Sequence, residues 1–330
     1  MKRILTLVLA LALVFGMSFN AQAKKRYVFG GGPAGGTFQV VANAIQVFGP
    51  IKNNPDFSIK AQSSGGSTEN LRTVNAGRSA FGTVYAGEVF LGRNGKMTGD
   101  PNKYDKVLVV GYLYGAPAQL VVRKGSGINS AKDLVGKKVG VGNAGSGAFA
   151  NCERFFTHLG IWDKIERNAM GYNDAAQAFG NEQLDAFWLL TAFPSGAVIM
   201  AAQTNDIDLV NVGKDAEDTG YYTAYPYFGK LNIPAGTYRG VDHDTPSFFD
   251  SALLVANADV SADDVYALLK AVWSDEGLKH MVDQKKTFKA MSVADGLKGV
   301  NPAATPAAPR RRTVLEGNGR SEVTPHTLSP

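Results

Sequence analysis

Cysteine is almost absent from this chain, because Cys152 is the single cysteine among its 330 residues. One cysteine excludes an intramolecular disulfide. Cys152 lies in a segment whose apolar residues follow helical spacing. We therefore interpret it as a small buried apolar residue rather than as a nucleophile.

Groups that carry catalytic or metal chemistry are also few. The four histidines are scattered, and no two of them have the spacing of a metal-ligand pair. The short cluster of Asp242, His243 and Asp244 comes just before Pro246, and we interpret it as a surface turn. No G-x-S-x-G nucleophile motif occurs. The sequence therefore predicts no enzyme, no metal site and no cofactor.

Net charge is small once the two ends of the chain are set aside. Six of the 34 basic residues and two of the 29 acidic residues lie in residues 1–23 and 301–330, which leaves 28 basic and 27 acidic residues between them. A nucleic-acid-binding domain carries a clustered basic face. Nucleic acid is therefore not an expected partner.

Long apolar runs are confined to the N-terminus. Lys2 and Arg3 precede an apolar run over residues 4–19, and Ala21-Gln22-Ala23 fits a small-x-small cleavage site. The run is short for a membrane-spanning helix of about 20 residues. We expect residues 1–23 to be a signal peptide that is cleaved after Ala23, which predicts a periplasmic, soluble and monomeric mature protein.

The region after this run alternates between strand-like and helix-like segments, which indicates an α/β fold with parallel sheets. The roughly 280 residues from Lys24 to Val300 exceed one ordinary core, so two lobes are expected. Residues 301–330, rich in Pro, Ala and Arg, are interpreted as a disordered tail. Strands are predicted over residues 26–29, 57–62, 80–84, 107–112, 119–122, 138–141, 186–190, 207–212 and 252–255, and helices over 37–48, 68–76, 149–159, 173–181, 194–202 and 261–273.

Three glycine-rich turns, at residues 30–37, 63–70 and 142–147, each follow a predicted strand and precede a predicted helix. Ligands of open α/β sheets bind outside the carboxyl ends of the strands. The N-terminus of a helix attracts anions through its unpaired N–H groups and its dipole. Although each turn alone could be only a helix cap, the three together predict an anion site.

The first turn also matches the G-x-G-x-x-G pattern of a dinucleotide-binding loop, with Gly30, Gly32 and Gly35 as its glycines. That interpretation requires an acidic residue about 20 residues further on, which binds the ribose. The strand over residues 57–62 ends without Asp or Glu. The dinucleotide pattern therefore lacks its acidic partner. An exported flavin or NAD oxidoreductase that uses Gly30–Gly35 is kept as the alternative to a binding protein.

Four segments, in order, resemble the TAXI family, the extracytoplasmic solute-binding subunits of certain TRAP transporters. These segments are GGT at residues 35–37, SGGSTENLR at 64–72, LVGKKVGVGNAGSG at 134–147 and IPAGTY at 233–238. The resemblance implies a type II periplasmic-binding-protein fold, in which two α/β lobes surround a hinged ligand cleft. Lobe one would comprise residues 24–115 and 245–300, and lobe two residues 116–244 with the hinge crossovers.

The resemblance also implies a function. The protein would capture a small organic anion, such as a dicarboxylate or an acidic amino acid (glutamate, or a 2-oxoglutarate-like acid), and deliver it to TRAP membrane permease subunits. A binding module that feeds a sensor kinase is a further alternative.

The candidate site residues come from the turns together with this resemblance. The glycines, the hydroxyl residues and Asn70 would hold the polar end of the ligand, whereas the aromatic residues, with Phe187 as a further candidate, would form the walls. Arg72 is expected to make an ion pair instead. The predicted ligand-binding residues are Gly36, Thr37, Phe38, Ser64, Gly66, Ser67, Asn70, Tyr85, Ser146, Gly147, Trp188 and Tyr238.

Overall fold

The structure is a computed structural model, and it describes residues 23–33 and 35–294. The predicted signal peptide, apart from Ala23, lies outside the described residues, and so does the predicted tail at residues 301–330. No helix within the described ranges is both long enough and apolar enough to cross a membrane.

The described residues form α-helices and β-strands in alternation, as the sequence predicts. The helices are α1 (Thr37–Val47), α2 (Gly49–Lys52), α3 (Ser67–Asn75), α4 (Ala86–Arg93), α5 (Gly147–His158), α6 (Tyr172–Gly180), α7 (Gly196–Thr204), α8 (Val212–Asp218), α9 (Tyr221–Ala224), α10 (Ala262–Val272) and α11 (Asp275–Gln284). The strands are β1 (Lys25–Gly30), β2 (Phe57–Gln62), β3 (Phe81–Tyr85), β4 (Val107–Arg123), β5 (Lys138–Gly140), β6 (Glu166–Asn168), β7 (Ala186–Leu190), β8 (Ile207–Leu209), β9 (Gly229–Ile233) and β10 (Thr245–Asn257).

The strands form two sheets with the same internal order. In the first sheet the order is β2-β1-β3-β10-β4, where β1, β2 and β3 are parallel and β10 runs antiparallel to its neighbours. In the second sheet the order is β6-β5-β7-β4-β8, where β5, β6 and β7 are parallel and β4 is the antiparallel strand. Lobe one is built on the first sheet and lobe two on the second, which agrees with the predicted two-lobed α/β fold.

The long strand β4 belongs to both sheets. Its first part pairs with β10, up to the pair Pro117 and Phe249, and its last part from Ala118 pairs with β7. The sequence predicts two separate strands here, over residues 107–112 and 119–122, and glycines stand at positions 111 and 115. A Cβ at Gly111 would come within 2.6 Å of the Trp273 ring. These glycines therefore allow aromatic rings to lie on a continuous strand, and the prediction of a break is wrong.

Two further predicted strands need correction, and some helices were not predicted. The late strand predicted over residues 252–255 is a 13-residue strand, β10, which begins at Thr245. The strand predicted over residues 207–212 ends at Leu209, and α8 follows from Val212. Helices α4 and α11 are not among the predicted elements. Ser261 caps the N-terminus of α10, because its hydroxyl accepts a hydrogen bond from the Asp264 amide.

The hydrophobic core covers both faces of the second sheet. Successive residues of a strand such as β7 point to opposite faces of the sheet. Trp188 belongs to the large aromatic core on one face, whereas Phe187 and Leu189 belong to a smaller cluster against α6 and α7. Cys152 of α5 is fully buried in the large core, as predicted, and burial raises the pKa of its thiol.

Candidate ligand-binding site

A cavity of about 40 Å³ lies where the two lobes meet. Residues from the segments after β1, β2, β5, β6 and β7 line it, together with side chains from β3 and β4. The lining residues are Pro33, Gly36, Thr37, Phe38, Gly65, Gly66, Ser67, Tyr85, Tyr114, Asn143, Ser146, Gly147, Ala148, Gly171, Tyr172, Leu190 and Thr191.

Four helices begin at this cavity, and each is at least nine residues long. Helices α1 and α3 come from lobe one, and α5 and α6 come from lobe two. Their N-cap residues are Gly36, Gly66, Ser146 and Gly171, of which the three glycines have no side chain to cap the helix. Each helix start offers backbone N–H donors and the positive end of a helix dipole. The site is thus electropositive although none of the described residues that line it has a basic side chain.

The cavity walls combine aromatic rings with hydroxyl groups. Phe38 and Tyr85 pack with their ring centroids 4.7 Å apart. The Tyr85 hydroxyl donates a hydrogen bond to the Leu190 carbonyl at 2.7 Å, and the Tyr172 hydroxyl donates to the same carbonyl at 2.9 Å. Because Tyr85 lies on β3 and Leu190 on β7, the first of these hydrogen bonds joins the two lobes.

Two further contacts show that the cleft is closed. The Thr37 and Thr191 hydroxyls lie 3.2 Å apart, and they belong to α1 and to the segment after β7. A Cβ placed on Gly147 would lie 2.6 Å from the Ser67 Cβ and 2.7 Å from the Tyr85 ring. The absence of a side chain at position 147 is therefore what allows α5 to approach α3 and β3.

A buried group of charged residues lies behind Ser67. The Ser67 hydroxyl donates to Glu88 Oε2 at 3.1 Å, and Arg154 of lobe two donates to Glu88 Oε1 at 3.3 Å. The Glu88 side chain is fully buried and the Arg154 side chain is 10% exposed. A second buried carboxylate, Asp250, accepts hydrogen bonds from the Gly87 amide at 3.2 and 3.3 Å. One cation thus serves two carboxyl groups between the lobes.

Both carboxyl groups bind protons more readily than they would in water. Burial raises the pKa of Glu88, whereas the Arg154 charge and the Ser67 hydrogen bond lower it in part. Burial and the neighbouring Glu88 charge hold the pKa of Asp250 well above its usual range. Removal from water disfavours the charged form of a carboxyl group.

A sequence profile of the NMT1-like family matches residues 29–309, which is most of the chain. The chain belongs to the NMT1-like family. The match begins in β1 and ends within the segment that the sequence predicts as a tail.

Several solved structures are similar to this NMT1-like protein. A protein of Bordetella bronchiseptica RB50 has 16% identity and a TM-score of 0.54, over 89% of this chain and 98% of that one. A putative L-cystine ABC transporter from Listeria monocytogenes has 18% identity and a TM-score of 0.48, over 84% of this chain and all of that one. The periplasmic aliphatic sulphonate binding protein SsuA from Escherichia coli has 16% identity and a TM-score of 0.46, over 80% of each chain. The first likeness, together with the sheet order, confirms the predicted fold class.

Most of the predicted site residues meet at the cavity. Eight of them line it, and they come from both lobes. They are Gly36, Thr37, Phe38, Gly66, Ser67, Tyr85, Ser146 and Gly147. Ser67 is not an N-cap, since Gly66 takes that position, whereas Ser146 caps α5 by accepting from the Phe149 amide.

Two predicted polar residues, Ser64 and Asn70, do not line the cavity. The Ser64 hydroxyl donates to the Gly31 carbonyl and accepts from the Gly66 amide, so it shapes the turn before α3. Asn70 is fully buried, and its amide nitrogen donates to the carbonyls of Gly30, Gly31 and Thr83. Asn70 therefore holds the ends of β1 and β3 together rather than facing the ligand.

Two predicted aromatic residues, Trp188 and Tyr238, also lie elsewhere. Trp188 is fully buried and its ring stacks on Phe155 at 5.7 Å, so it is a core residue. The Tyr238 hydroxyl donates to Gln119 at 2.6 Å and accepts from the Ser195 amide, which places it beneath α7. The expected ion pair of Arg72 is confirmed, because its guanidinium lies 3.1 Å from Asp100.

Other lining residues escaped the sequence analysis. Tyr172 follows Gly171 just before the helix predicted over residues 173–181, so a third glycine-capped helix was visible in the sequence. Tyr114 lies in the part of β4 that the sequence leaves between two strands. Leu190 ends the buried strand β7, Thr191 follows it, and neither carries a local signal.

The first glycines of the 30–37 turn have a structural role. A Cβ on Gly30 would lie 2.5 Å from the Asn70 side chain, and one on Gly31 would lie 2.5 Å from the Gln39 side chain. Neither glycine lines the cavity. Close packing against α3 and α1 therefore accounts for these glycines without a dinucleotide. Within the described residues, no group of three or more His, Cys, Asp or Glu side chains could hold a metal ion.

Proposed function

We propose that this protein is a solute-binding receptor that captures a small organic anion between its two lobes and delivers it to a membrane permease. The observation that carries the proposal is the convergence of four helix N-termini, two from each lobe, on one cavity. Helix N-termini bind anions through backbone N–H groups and the helix dipole.

Capture would work by closure of the cleft. A ligand shifts a conformational equilibrium only through its differential affinity for the two states. A ligand in this cavity contacts α1 and α3 of one lobe and α5 and α6 of the other, and it makes both sets of contacts only when the lobes are closed. The strands that cross between the sheets, β4 and β10, are the proposed hinge, with lobe one comprising residues 24–115 and 245–300 and lobe two residues 116–244.

The finer assignment rests on the resemblance to the TAXI family. It proposes a TRAP permease as the partner and a monomeric protein in the periplasm. For the ligand it implies a dicarboxylate or an acidic amino acid, a choice that the lining of the cavity opposes because no charged side chain is among the residues that line it. The four motif segments support this subtype, and three of them, at residues 35–37, 64–72 and 134–147, contribute residues to the cavity. The proposed function is that of a receptor and not of an enzyme.

A thermal-shift screen of the purified mature protein tests the proposal. The panel contains monocarboxylates, dicarboxylates, amino acids and neutral amides of matched size. At least one class of organic acid should raise the melting temperature, whereas its neutral amide should not, and no acid should be consumed. The absence of stabilisation by every acid would contradict the proposal. A purified protein with flavin absorbance or NAD binding would favour the alternative of an oxidoreductase.

A further inference from the structure

The residues that line the cavity also indicate which class of acid it accepts, provided that the proposed function is correct. We propose that it selects a short organic acid with a single carboxylate, over dicarboxylates and zwitterionic amino acids, and that Tyr114 donates a hydrogen bond to that carboxylate. Three features carry the inference, namely the lack of charged side chains, the state of the hydroxyl groups and the aromatic walls.

No charged side chain is among the residues that line the cavity. One carboxylate can be held there by helix N-termini, whose effect is confined to the first turn of each helix. A second carboxylate would have to leave water without a cationic partner, and burial of an unpaired charge is strongly unfavourable. The lining therefore favours a monoanion.

An α-ammonium group would also lack an ionic partner in the cavity. Two carboxylates lie next to the lining residues, namely Glu69, which accepts from the Gly65 amide at 2.7 Å, and Glu88. The Oε2 atom of Glu88 accepts from the Ser67 hydroxyl and its Oε1 atom accepts from Arg154. Because Glu88 is paired with Arg154 and Glu69 is bound to the Gly65 amide, the site does not favour a zwitterion.

Tyr114 supplies the observation that the helix ends alone do not. Its side chain is 1% exposed and lines the cavity, yet its hydroxyl makes no hydrogen bond of good geometry to any described residue, although the Thr37 and Tyr85 hydroxyls lie near it. The hydroxyls of Thr37, Ser67, Tyr85 and Tyr172 are all engaged in hydrogen bonds. A buried hydroxyl without a partner is unfavourable. A ligand carboxylate that accepts from Tyr114 removes this cost.

The protonation state of Tyr114 fits the role of a donor. Burial raises the pKa of its hydroxyl, so the group stays protonated across the physiological range. The neighbouring walls are apolar, since the Phe38 and Tyr85 rings pack together on one side. A short hydrocarbon or aromatic body would contact these rings while the carboxylate faces the helix ends.

Isothermal titration calorimetry with matched acids tests the selectivity. The pairs are propionate with succinate, butyrate with glutarate, and 2-oxobutyrate with 2-oxoglutarate, and glutamate is compared with butyrate. Each monocarboxylate should bind at least tenfold more tightly than its partner. Equal or tighter binding of the dicarboxylates or of glutamate would overturn this inference and leave the proposed receptor function intact. If no acid in either series binds, both the inference and the proposed function are wrong.

Two tyrosine variants test the role of Tyr114. The change Tyr114→Phe should weaken binding of the best monocarboxylate by about tenfold, because a hydrogen bond to a charged group is lost. The change Tyr221→Phe is the matched control, since Tyr221 is also fully buried with an unpartnered hydroxyl but does not line the cavity. It should leave the dissociation constant unchanged. Equal effects of the two changes would overturn the role of Tyr114.

A variant that adds a positive charge tests whether charge, rather than the shape of the cavity, sets the selectivity for monocarboxylates. Asn143 lines the cavity and is partly exposed. The change Asn143→Lys introduces a cation at this edge, so succinate and glutarate should gain at least tenfold relative to propionate and butyrate. An unchanged preference would show that the absence of a cation does not set the selectivity, and would contradict the argument from the lining.

Discussion

Gly147, the first residue of α5, decides how closely the two lobes can approach. A methyl group there would lie 2.6 Å from the Ser67 Cβ and 2.7 and 3.1 Å from two atoms of the Tyr85 ring. Carbon atoms in contact prefer about 3.5–4.0 Å, so the methyl group would overlap its neighbours by about 1 Å. Both neighbours are held in place, Ser67 by Glu88 and Tyr85 by the Leu190 carbonyl.

The change Gly147→Ala should therefore destabilise the closed state rather than the fold. Overpacking of this kind costs about 1–3 kcal/mol, which lowers the closed population, and the ligand affinity with it, by about 5-fold to 150-fold. Alanine stabilises a helix relative to glycine by up to about 1 kcal/mol. The melting temperature of the ligand-free protein should therefore be unchanged or higher.

Small-angle X-ray scattering and calorimetry check this prediction together. The variant should show a larger radius of gyration with ligand present than the wild-type protein, and a weaker dissociation constant. The matched control is Gly196→Ala, because Gly196 is also the first residue of a helix after a serine, and a Cβ there would meet nothing within 4 Å. If Gly147→Ala binds the ligand within about twofold of the wild-type affinity, the prediction that a methyl group at position 147 opposes closure is refuted.

Three other predictions concern the contacts between the lobes. Arg154→Met leaves the Glu88 carboxylate buried with little compensation, so the free energy of unfolding in urea at pH 7.5 should fall by about 3–5 kcal/mol. Because the folded pKa values of Glu88 and Asp250 are raised, stability is greatest below their ordinary values of 4.5 and 3.8 and falls as the pH rises through the folded values. Urea titrations from pH 5 to 8 should show this decline, and Asp250→Asn should reduce it. Tyr85→Phe removes the interlobe hydrogen bond to Leu190, so calorimetry should show affinity weakened by about 1 kcal/mol.

Each of these predictions has a control within the same chain. The double variant Arg154→Met with Glu88→Gln should recover most of the lost stability, since no unpaired charge remains buried. The exposed His243 has a raised pKa, from hydrogen bonds to Asp244 and Asp208, and it contributes in the same pH direction. The pH titration is therefore repeated with His243→Gln, and a decline that disappears in this variant would contradict the assignment to the buried carboxyls. A loss of binding by Tyr172→Phe equal to that of Tyr85→Phe would contradict a specific interlobe role for Tyr85.

The sequence predicted the fold well wherever local patterns act. The strand Phe57–Gln62 and the strand Ala186–Leu190 have the predicted bounds, because each is an apolar or alternating run that ends at a polar turn. The helix starts at Thr37 and Gly147 follow glycine turns, whose positions depend on local backbone conformation. Local sequence patterns did not predict β4 as one continuous strand, because its glycines accommodate rings from distant parts of the chain.

For the site as well, the sequence predicted the features that local patterns determine and missed those that depend on distant residues. Glycine turns located the helix N-termini, since parallel strands place the following turns at one edge of a sheet. The faces of individual side chains were not predictable. Trp188 and Leu190 lie two residues apart on the same core-facing side of β7, yet only Leu190 reaches the cavity. Asn70 has a fitting chemistry, but it is fully buried against strand ends.

By itself, the sequence determined an α/β chain with helix N-termini at glycine turns, because strand, turn and helix depend on residues that are close together in the chain. Only the tertiary structure decided which groups meet across the cleft. Closure brings Thr37 to Thr191, Tyr85 to Leu190 and Glu88 to Arg154. These pairs lie 154, 105 and 66 residues apart. Their contacts depend on how two sheets pack around shared strands, a long-range property that no local pattern records.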